Sequence, residues 1–519
     1  MKILIVFLND RKRTLILPAL AVIIATLKQG GIDTKVFDTS FYSENKRLHE
    51  EDSKEEAGIF QKIDYSKIGV KIKTGLEKDF IDTIDAWKPD VIAFSVHSYI
   101  FDPAVELSRL VKEKFGDKIK VIFGGIHVTL DYNNIFQEKS IDYFCVGEGE
   151  LALLEFCQKM GKGESLTDIK NIWYRKDGQL VKTGLRPPVD LDSLPNPDWE
   201  EFAEYHQYGP WRGKLVKMAL VEFSRVCPFS CAYCGNQIMI EEYAKHGIKM
   251  GPHHKSPKKF IEELKHLKDR YHLEFIAIMD GTFLSFPDNV LEELSELYTK
   301  EIGLPFYVTT TASSISEKRI VLMEKMGCVC LNLGVENGDF EYRKKYMNRP
   351  WPDELIINAF KMVKKSSIEA RAYNIIGAPF ETRETIMKTI EMNRKIGADS
   401  SSLAIFIPFP GSKMRDLCIE KGLFGADQKI EGDGTIPVIK NDDLTNDEII
   451  GLFNTFTLYL KVPKEMFPIV RLAEENNKFA EKLRNVLKEI YLSGNKQGNK
   501  DEMVRIKEEN DNFRNPVAK

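Results

Sequence analysis

The first 165 residues alternate short apolar runs rich in β-branched side chains with longer stretches of helical periodicity. The apolar runs are predicted as strands at Ile3–Phe7, Thr34–Phe37, Val91–Val96, Val121–Phe123 and Tyr143–Val146. Helical patterns near Ala19–Lys28 and Pro103–Lys114 lie between them. Continuous apolar strands separated by helices indicate a parallel sheet covered on both faces. Residues 1–165 are therefore predicted as a doubly wound, Rossmann-like α/β domain.

Glycines and polar residues follow several of these strands, at the places where doubly wound sheets bind ligands. The candidate binding residues are Ser95, His97, Gly124, Gly125, His127, Gly147 and Glu148. Glycines there let a backbone approach a large ligand closely. No G-x-G-x-x-G follows the first strand, which argues against a dinucleotide. A doubly wound domain can also persist as an empty scaffold, and this alternative stays open.

A second α/β pattern follows a predicted linker, residues 166–212, whose stretch 186–197 contains four prolines. Apolar runs in this second pattern are predicted as strands at Met218–Phe223, Phe275–Met279, Phe306–Val308, Cys330–Leu333, Tyr373–Ile376 and Leu403–Ile407. Helical stretches such as Pro257–Arg270 and Glu354–Lys365 separate them. Six β-α units predict an incomplete parallel barrel over residues 213–435, with active residues at the carboxyl ends of its strands.

Residues 436–519 are predicted as a helical extension, with helices near Thr445–Leu460 and Asn476–Leu492. The stretch after Ser493 is rich in Lys, Glu and Asn, and a solvated helix or disorder is expected there. The longest apolar run, Leu15–Leu27, is shorter than a membrane span, so no transmembrane segment is expected.

Charge and cysteine content narrow the range of functions. The 519 residues include 74 Lys and Arg against 78 Asp and Glu, so these totals give no reason to expect a nucleic-acid partner. Eight cysteines in so long a chain do not indicate a disulfide framework, and the reducing cytoplasm is the expected compartment. Cys145, Cys157 and Cys418 lie within apolar patterns and are interpreted as buried thiols. Cys328 and Cys330 face opposite sides of a predicted strand, so core packing is the interpretation and ligation is the alternative.

The other three cysteines, Cys227, Cys231 and Cys234, form a C-x3-C-x2-C motif just after the first predicted barrel strand. A structural zinc site normally has four protein ligands, and no second Cys or His pair at zinc-finger spacing follows. An iron–sulfur cluster held by three Cys keeps one iron open for a substrate or cofactor. Pro228 and Gly235 suit a loop that turns the thiols toward one point. Three buried hydrophobic thiols are the alternative, which the tight spacing disfavours.

This triplet resembles the signature of the radical S-adenosylmethionine (SAM) enzymes, whose [4Fe–4S] cluster binds SAM through its open iron. The resemblance implies that the backbone of Tyr233 meets the SAM adenine. Met279–Phe283 is similar to an acidic stretch near the SAM amino group, which implies a contact from Asp280; a solvated turn carboxylate is the alternative. Gly334–Gly338 resembles G-[IV]-E-[SN]-G, in which the carboxylate, here Glu336, binds the SAM ribose. A structural ion pair is the alternative for Glu336.

Further residues near the predicted barrel mouth match the same family less specifically. The stretches 377–382, which begins with Gly377, and 408–411 resemble its G-x-P-x-E-T and P-x-P-G motifs, and both are expected to shape the SAM pocket. His253 and His254 follow Gly-Pro in a loop. An exposed histidine pair is the preferred interpretation, and contact with substrate is the alternative.

Several phrases of the first domain, taken in order, resemble the cobalamin-binding-type domain that precedes the radical SAM domain in one large subfamily. They are Leu17–Ala21, Gly30–Asp33, Pro89–Ser95, Gly124–His127 and Val146–Glu150. The resemblance implies that cobalamin binds at the glycine-containing loops. The chain contains no D-x-H-x-x-G, the motif whose His ligates cobalt from below in other cobalamin proteins. Because members of this subfamily commonly lack that motif, binding without a protein His is expected.

The resemblance also implies the reaction. In the subfamily, the cluster cleaves SAM to methionine and a 5′-deoxyadenosyl radical, and methylcobalamin supplies a methyl group to an unactivated carbon. A cobalamin-dependent methyltransferase is therefore the leading interpretation. A cyclase, oxidase or rearrangement enzyme like the anaerobic Mg-protoporphyrin ester cyclase is the alternative, and the intact Cys triplet disfavours a non-catalytic scaffold. The expected partners are a small-molecule or lipid-like substrate and an electron donor such as flavodoxin or ferredoxin.

Overall fold

The computed structural model describes residues 1–10, 14–45, 50–430 and 434–492. In this part of the chain, two seven-stranded sheets and one two-stranded ribbon are flanked by helices. The first sheet uses strands from the N-terminal region and the second uses strands from the predicted barrel, so the mixed α/β class is confirmed.

The first sheet has the strand order β2-β1-β3-β4-β5-β6-β7. Its strands are β1 Lys2–Phe7, β2 Asp33–Asp38, β3 Val91–Ser95, β4 Lys120–Gly124, β5 Tyr143–Cys145, β6 Ile172–Lys176 and β7 Gln179–Val181. Strands β1 to β5 pair in parallel, as predicted, whereas β6 and β7 pair antiparallel at one edge. From the centre of the sheet, the strand order runs outward from β1 to β2 on one side and from β3 to β4 and β5 on the other. Doubly wound sheets bind ligands at the point between two such halves, here between β1 and β3.

Helices cover both faces of the first sheet. They are α1 Pro18–Gln29, α3 Leu76–Trp87, α4 Phe101–Phe115, α5 Ile126–Ile135 and α6 Glu150–Gly161, whereas α2 Glu50–Glu56 leads to Ala57, which packs with the C-terminal helices. On one face, α1 and α6 share an apolar core with β1, and on the other face α3, α4 and α5 contribute to a second core. Burial on both faces explains why these strands have continuous apolar sequences.

The predicted linker, residues 166–212, is partly built into the two sheets. Strands β6 and β7 form a hairpin that extends the first sheet. At its other end, β8 Tyr208–Trp211 pairs antiparallel with β9 Lys214–Val221 of the second sheet. The Pro-rich stretch 186–197 contains no strand, in agreement with its prolines. Sequence reasoning missed these three strands because they are short and pair only at the edges of sheets.

The second sheet has the order β16-β15-β14-β13-β12-β9-β8, and all of its strands except β8 run parallel. Its remaining strands are β12 Phe275–Ile278, β13 Phe306–Thr311, β14 Cys328–Glu336, β15 Glu369–Ile376 and β16 Ser400–Ile405. Among the described residues, β8 and β16 are unclosed edges, so the sheet is an open half-barrel. The prediction of six parallel strands in an incomplete barrel is confirmed.

Eight helices follow or separate the strands of the half-barrel: α7 Asn236–Lys245, α8 Pro257–Tyr271, α9 Asp288–Glu301, α10 Glu317–Met326, α11 Phe340–Lys345, α12 Asp353–Val363, α13 Arg383–Ile396 and α14 Lys413–Glu420. The apolar layer between strands and helices continues into the core around β1, α1 and α6. Trp199, from the predicted linker, stacks on Tyr271 at 4.6 Å and belongs to this shared core. The two sheets are therefore packed together rather than merely tethered.

The helical extension contains α15 Asn446–Lys461, α16 Phe467–Leu472 and α17 Lys478–Tyr491. Thr445 and Glu448 form a capping box that starts α15, whose apolar side packs on β15, β16 and α13. The Thr457 hydroxyl donates to the Ala57 carbonyl at 2.7 Å, so the extension also contacts the N-terminal region. The expected tail after Ser493 lies outside the described residues. Across the described residues, we find no helix with both the length and the apolar character that a membrane span requires.

Asp38, the last residue of β2, fastens the predicted linker to the first sheet. One Asp38 oxygen accepts from His206 at 2.8 Å and from the Tyr205 hydroxyl at 2.7 Å, and the other accepts from the Ser40 backbone N–H. Burial alone would raise the pKa of Asp38, but the hydrogen bonds, led by that from His206, lower this pKa to about 2.

We expect Asp38→Asn to destabilise the protein at pH 7 by about 2 kcal/mol, because the pKa of an unfolded Asp is ~3.9. A depressed carboxyl pKa stabilises the fold fully above the unfolded pKa and loses this effect as the pH falls toward the folded value. The difference in melting temperature between parent and variant should therefore stay constant from about pH 7 to pH 5 and shrink below about pH 4. Asp33→Asn, at the exposed start of β2, is the control. A difference that does not shrink in acid would contradict this role of Asp38.

Candidate active site

The three motif cysteines lie in the loop between β9 and α7, beyond the carboxyl end of the first half-barrel strand. Cys227, Cys231 and Cys234 are partly buried and lie close enough to interact electrostatically with one another. Val226, just before Cys227, has φ +64°, a strained conformation for a β-branched residue. The three thiols therefore lie near one another in one loop, and their role as cluster ligands stays a prediction.

The surroundings of these thiols are compatible with a cluster. Burial raises the pKa of Cys227 to about 11 and also raises the pKa of Cys234, so a positive partner is needed to hold them as thiolates. Within the described part of the chain, no three His, Cys, Asp or Glu side chains converge on a point that would hold one metal ion. Thiolates of a [4Fe–4S] cluster bind different irons and stand farther apart. Asn236 Nδ2 also lies 3.5 Å from Cys234 Sγ and supplies a donor to sulfur.

Asp280 is buried, so the alternative of a solvated turn carboxylate is wrong. One of its oxygens accepts from the backbone N–H groups of Phe223 and Ser224 at 2.8 and 3.2 Å, and the other accepts from the Ser224 hydroxyl at 2.6 Å. Burial raises the pKa of Asp280 to about 7, although these hydrogen bonds favour the carboxylate. Asp280 therefore fastens the segment that leads into the cysteine loop. Its predicted contact with the SAM amino group stays a prediction.

Glu336 ends β14 beside the cysteine loop. Its φ is +64° and the pairing of β14 with β15 shifts register here, so the carboxylate turns away from a regular strand position. Glu336 Oε1 lies 3.6 Å from Nη1 of Arg349. Burial raises the pKa of Glu336, which Arg349 and a hydrogen bond with Tyr233 partly oppose. The structure thus brings Glu336 and Tyr233 together, and their predicted contacts with SAM stay predictions.

Arg349 is a site residue that sequence reasoning missed. Its Nη1 lies 3.5 Å from Cys231 Sγ and 3.1 Å from the Tyr233 hydroxyl, and its Nη2 donates to the Gly334 carbonyl at 2.8 Å. The guanidinium is buried and lies over the Trp351 ring at 4.2 Å. Its Nε has no hydrogen-bond partner among the described residues. No local pattern around residue 349 marks it, since its partners are distant in sequence.

Two of the predicted SAM-pocket motifs are joined to each other. Buried Glu381 accepts from Asn337 Nδ2 at 2.7 Å and from the Ala378 backbone N–H at 3.1 Å. Gly377 has φ +70°, and a side chain there would also meet Ile449 and Ile405. The loops after β14 and β15 are therefore held as one unit, which agrees with a shaping role for Gly377 rather than a chemical one.

A cavity of about 290 Å³ lies at the carboxyl edge of the first sheet. Its lining includes five of the predicted binding residues: Ser95, Gly124, Gly125, Gly147 and Glu148. The rest of the lining is mainly apolar and comes from β1, β3, β4, β5, α1, α5, α6 and the half-barrel residues Arg225 and Met239. Backbone atoms of Val96 fill the space where a Gly125 Cβ would stand, and the Tyr243 hydroxyl does so at Gly147. These two glycines are thus required by packing within the protein.

The two predicted histidines do not line this cavity. His127 lines a separate, more polar cavity of about 330 Å³, together with Asp131 and Arg415. Its ring is held by a 3.1 Å hydrogen bond between Nδ1 and the Ser98 hydroxyl. Burial lowers the pKa of His127 to about 4, so the imidazole is neutral at pH 7. A role of His97 and His127 in cofactor binding stays a prediction. Neither histidine lines the cavity that contains the other five predicted binding residues.

Comparisons with known proteins agree with this arrangement. The B12 binding domain model matches residues 52–156, and the Radical SAM superfamily model matches residues 221–392. An uncharacterized methyltransferase of Pyrococcus horikoshii is 25% identical over 387 residues, which cover 73% of this chain and 81% of that protein. An anaerobic magnesium-protoporphyrin IX monomethyl ester cyclase of Rubrivivax gelatinosus is 27% identical over 342 residues, covering 64% of this chain and 59% of the cyclase. This chain therefore matches less than two thirds of the cyclase.

The fold is also similar to a solved structure, the radical S-adenosylmethionine methyltransferase TsrM of Kitasatospora setae with tryptophan substrate and a SAM analog bound. The TM-score is 0.61 at 14% identity, and the match covers 93% of this chain and 95% of TsrM. At this identity the likeness shows the fold alone. The two domain matches show that the chain contains a B12-binding domain and a radical SAM domain. They imply a [4Fe–4S] cluster, SAM and cobalamin as its cofactors, which confirms the cofactor set predicted from the sequence.

Asp280→Ala should strongly reduce the iron and sulfide bound after anaerobic reconstitution. It leaves two buried backbone N–H groups and a hydroxyl without their acceptor, at about 1–3 kcal/mol each, so the cysteine loop loses its support. Asp280→Asn is the matched control because its amide oxygen still accepts, and it should retain most of the cluster. Far-UV circular dichroism would report on folding. An alanine variant that is folded and binds as much iron as the parent would show that Asp280 does not support the loop.

Proposed function

We propose that this chain, in which a B12-binding domain precedes a radical SAM domain, is a cobalamin-dependent methyltransferase. The observation that carries the proposal is the junction of the two sheets. The Cys loop with Tyr233, Glu336 and Arg349 lies on one side. The cavity beside Gly124 and Gly147 opens on the other side, and Arg225 and Met239 of the half-barrel line it. One reaction centre between the sheets would therefore reach both cofactors.

Cys227, Cys231 and Cys234 would hold three irons of the cluster and leave the fourth for SAM. When bound, the cluster supplies the electron that cleaves SAM, and cobalamin supplies the methyl group for transfer. The protein's part is to bind, orient and exclude water. The Arg349 guanidinium, 3.5 Å from Cys231 Sγ, places positive charge beside the thiolates, and its unpaired Nε offers a donor to an anionic group of SAM. Glu336 offers an acceptor to the ribose hydroxyls.

The cavity of the first domain suits part of a cobalamin molecule. At about 290 Å³ it is too small for the whole cofactor, and its mainly apolar lining suits an uncharged arm of it. His97 and His127 do not line this cavity, and binding without a protein His beneath cobalt stays a prediction. The substrate would be a small molecule or lipid-like compound. Ferredoxin or flavodoxin, in a reducing cytoplasm, would donate the electron.

The second candidate function is a radical cyclase, favoured by the 27% identity to the Rubrivivax gelatinosus enzyme. The two candidates differ in what they make from SAM, and this difference can be measured before the substrate is known. A methyltransferase that recharges cobalamin with a methyl group from SAM must release S-adenosylhomocysteine. A cyclase need form only 5′-deoxyadenosine and methionine.

The test uses the full chain, reconstituted anaerobically with iron, sulfide and hydroxocobalamin, then reduced and given methyl-labelled SAM. We expect labelled methylcobalamin and S-adenosylhomocysteine, together with slow release of 5′-deoxyadenosine. Replacement of Cys227, Cys231 and Cys234 by Ala should abolish cluster binding and 5′-deoxyadenosine, since no other ligands are at cluster spacing. Formation of 5′-deoxyadenosine without labelled methylcobalamin would favour the cyclase. A full cluster in the triple variant would contradict the radical SAM site itself.

Glu336→Gln should raise the SAM KM roughly tenfold or somewhat more and lower kcat less. A ribose contact stabilises the ground and transition states alike, and hydrogen bonds to charged groups contribute about 1.5–3 kcal/mol. Iron content should not change. Glu369→Gln, at the opposite end of the half-barrel, where Glu369 pairs with Arg212, is the matched control. Loss of the cluster with normal SAM affinity would show that Glu336 is a structural partner of Arg349 instead.

A further inference from the structure

A buried charge cluster joins the two sheets at their junction. Arg225 donates through Nη1 to Glu148 Oε1 at 3.1 Å and through Nη2 to Glu150 Oε1 at 2.6 Å. Its Nε donates to Glu222 Oε1 at 2.9 Å. The side chains of Arg225, Glu148 and Glu150 are 14%, 10% and 3% exposed. Three carboxylates, two from the first domain and one from the half-barrel, thus surround one guanidinium.

His253 completes the cluster, so its interpretation as part of an exposed loop pair is wrong. The short strands β10 Ser224–Arg225 and β11 His253–His254 form an antiparallel ribbon in which Arg225 lies opposite His253. His253 Nε2 is 3.1 Å from Glu148 Oε1. The other Glu148 oxygen accepts from the backbone N–H of Val189 at 2.6 Å. Glu148 is therefore bonded to the half-barrel and to the predicted linker at once.

Arg225 connects the two proposed cofactor sites directly. It lies two residues before Cys227, and its backbone is fixed by the β10–β11 ribbon and by the Asp280 bonds to Ser224. Its side chain reaches the 147–150 loop, where Glu148 and Glu150 line the 290 Å³ cavity together with Arg225 itself. Movement of that loop relative to the cysteine loop would break charge-assisted hydrogen bonds on both sides.

Only arginine suits this position. Its planar guanidinium carries five N–H donors in fixed directions, whereas a lysine ammonium is a compact point charge on a flexible stem. A buried ion pair adds little stability compared with well-packed apolar groups, but loss of one partner is costly. The cluster is thus better suited to fix one geometry than to stabilise the fold.

We propose that Arg225 is a positioning residue that fixes the 147–150 loop against the cysteine loop, so that the cobalamin cavity is formed in register with the cluster site. The cobalamin part of this proposal rests on the proposed function. The claim that Arg225 holds the loop rests on the contacts above and is measurable without cobalamin.

The test compares the parent with Arg225→Lys, both as the full chain with its reconstituted cluster. Hydrogen exchange of peptides covering residues 147–150 is measured first, and hydroxocobalamin is then titrated. We expect a full cluster, faster exchange in the 147–150 loop and a hydroxocobalamin Kd raised roughly tenfold or more. Arg212→Lys makes the same change at an exposed ion pair with Glu369 and should alter neither value.

Unchanged exchange and an unchanged Kd in Arg225→Lys would overturn the proposal. If the parent itself binds no hydroxocobalamin, the cobalamin part of the proposed function fails, and the exchange comparison alone decides whether Arg225 holds the loop.

A double variant that keeps the net charge of the cluster distinguishes loss of the Arg225 contacts from a general folding defect. Arg225→Met leaves three facing carboxylates, and adding Glu150→Gln removes one of them, so the double variant should recover part of the lost melting temperature. Strictly additive losses would also overturn the proposal.

Discussion

Parallel strands bring all their carboxyl ends to one edge of a sheet, and the organisation of this protein depends on that constraint. In both sheets the parallel strands end at one edge, and these two edges face each other. The contacts across the junction come from loops and helices at these edges: Tyr99 meets Phe409 at 5.8 Å, and the Tyr132 hydroxyl donates to Glu242 at 3.2 Å. Residues far apart in sequence therefore meet in one region, which is where ligands bind in both kinds of parallel sheet.

The same region contains several charged side chains that are buried away from water. Asp280, Glu336, Arg349 and Glu150 are all largely buried, and most of their polar atoms are bonded to the protein. Exceptions are Nε of Arg349 and one oxygen of Glu150, which have no partner among the described residues. Burying charged groups is expensive unless they are paired, so a fold that retains so many of them at one edge is suited to ionic cofactors.

Much of the fold was predictable, because strands buried on both faces have continuous apolar sequences. The grouping of the three motif cysteines in one loop was predictable as well, since residues of one short loop leave a local spacing. The remaining features depend on long-range pairing that no local pattern records. Arg349 meets Cys231 across more than a hundred residues, and Arg225 meets Glu148 from a different sheet. The burial of Asp280 was not predictable either, because its hydrogen-bond partners are distant in sequence. The neighbouring Gly281 instead indicated an exposed turn.

If one junction holds both cofactors, the cobalt and the iron–sulfur cluster lie close together. The most direct measurement is electron paramagnetic resonance of the full chain loaded with cob(II)alamin, with its iron–sulfur cluster first oxidised and then reduced. With both cofactors at the junction, reduction of the cluster should broaden the cob(II)alamin signal or speed its relaxation, and this change should disappear when Cys227, Cys231 and Cys234 are replaced by Ala. A cob(II)alamin signal that does not change with the oxidation state of an intact cluster would show that the two cofactors do not share the junction.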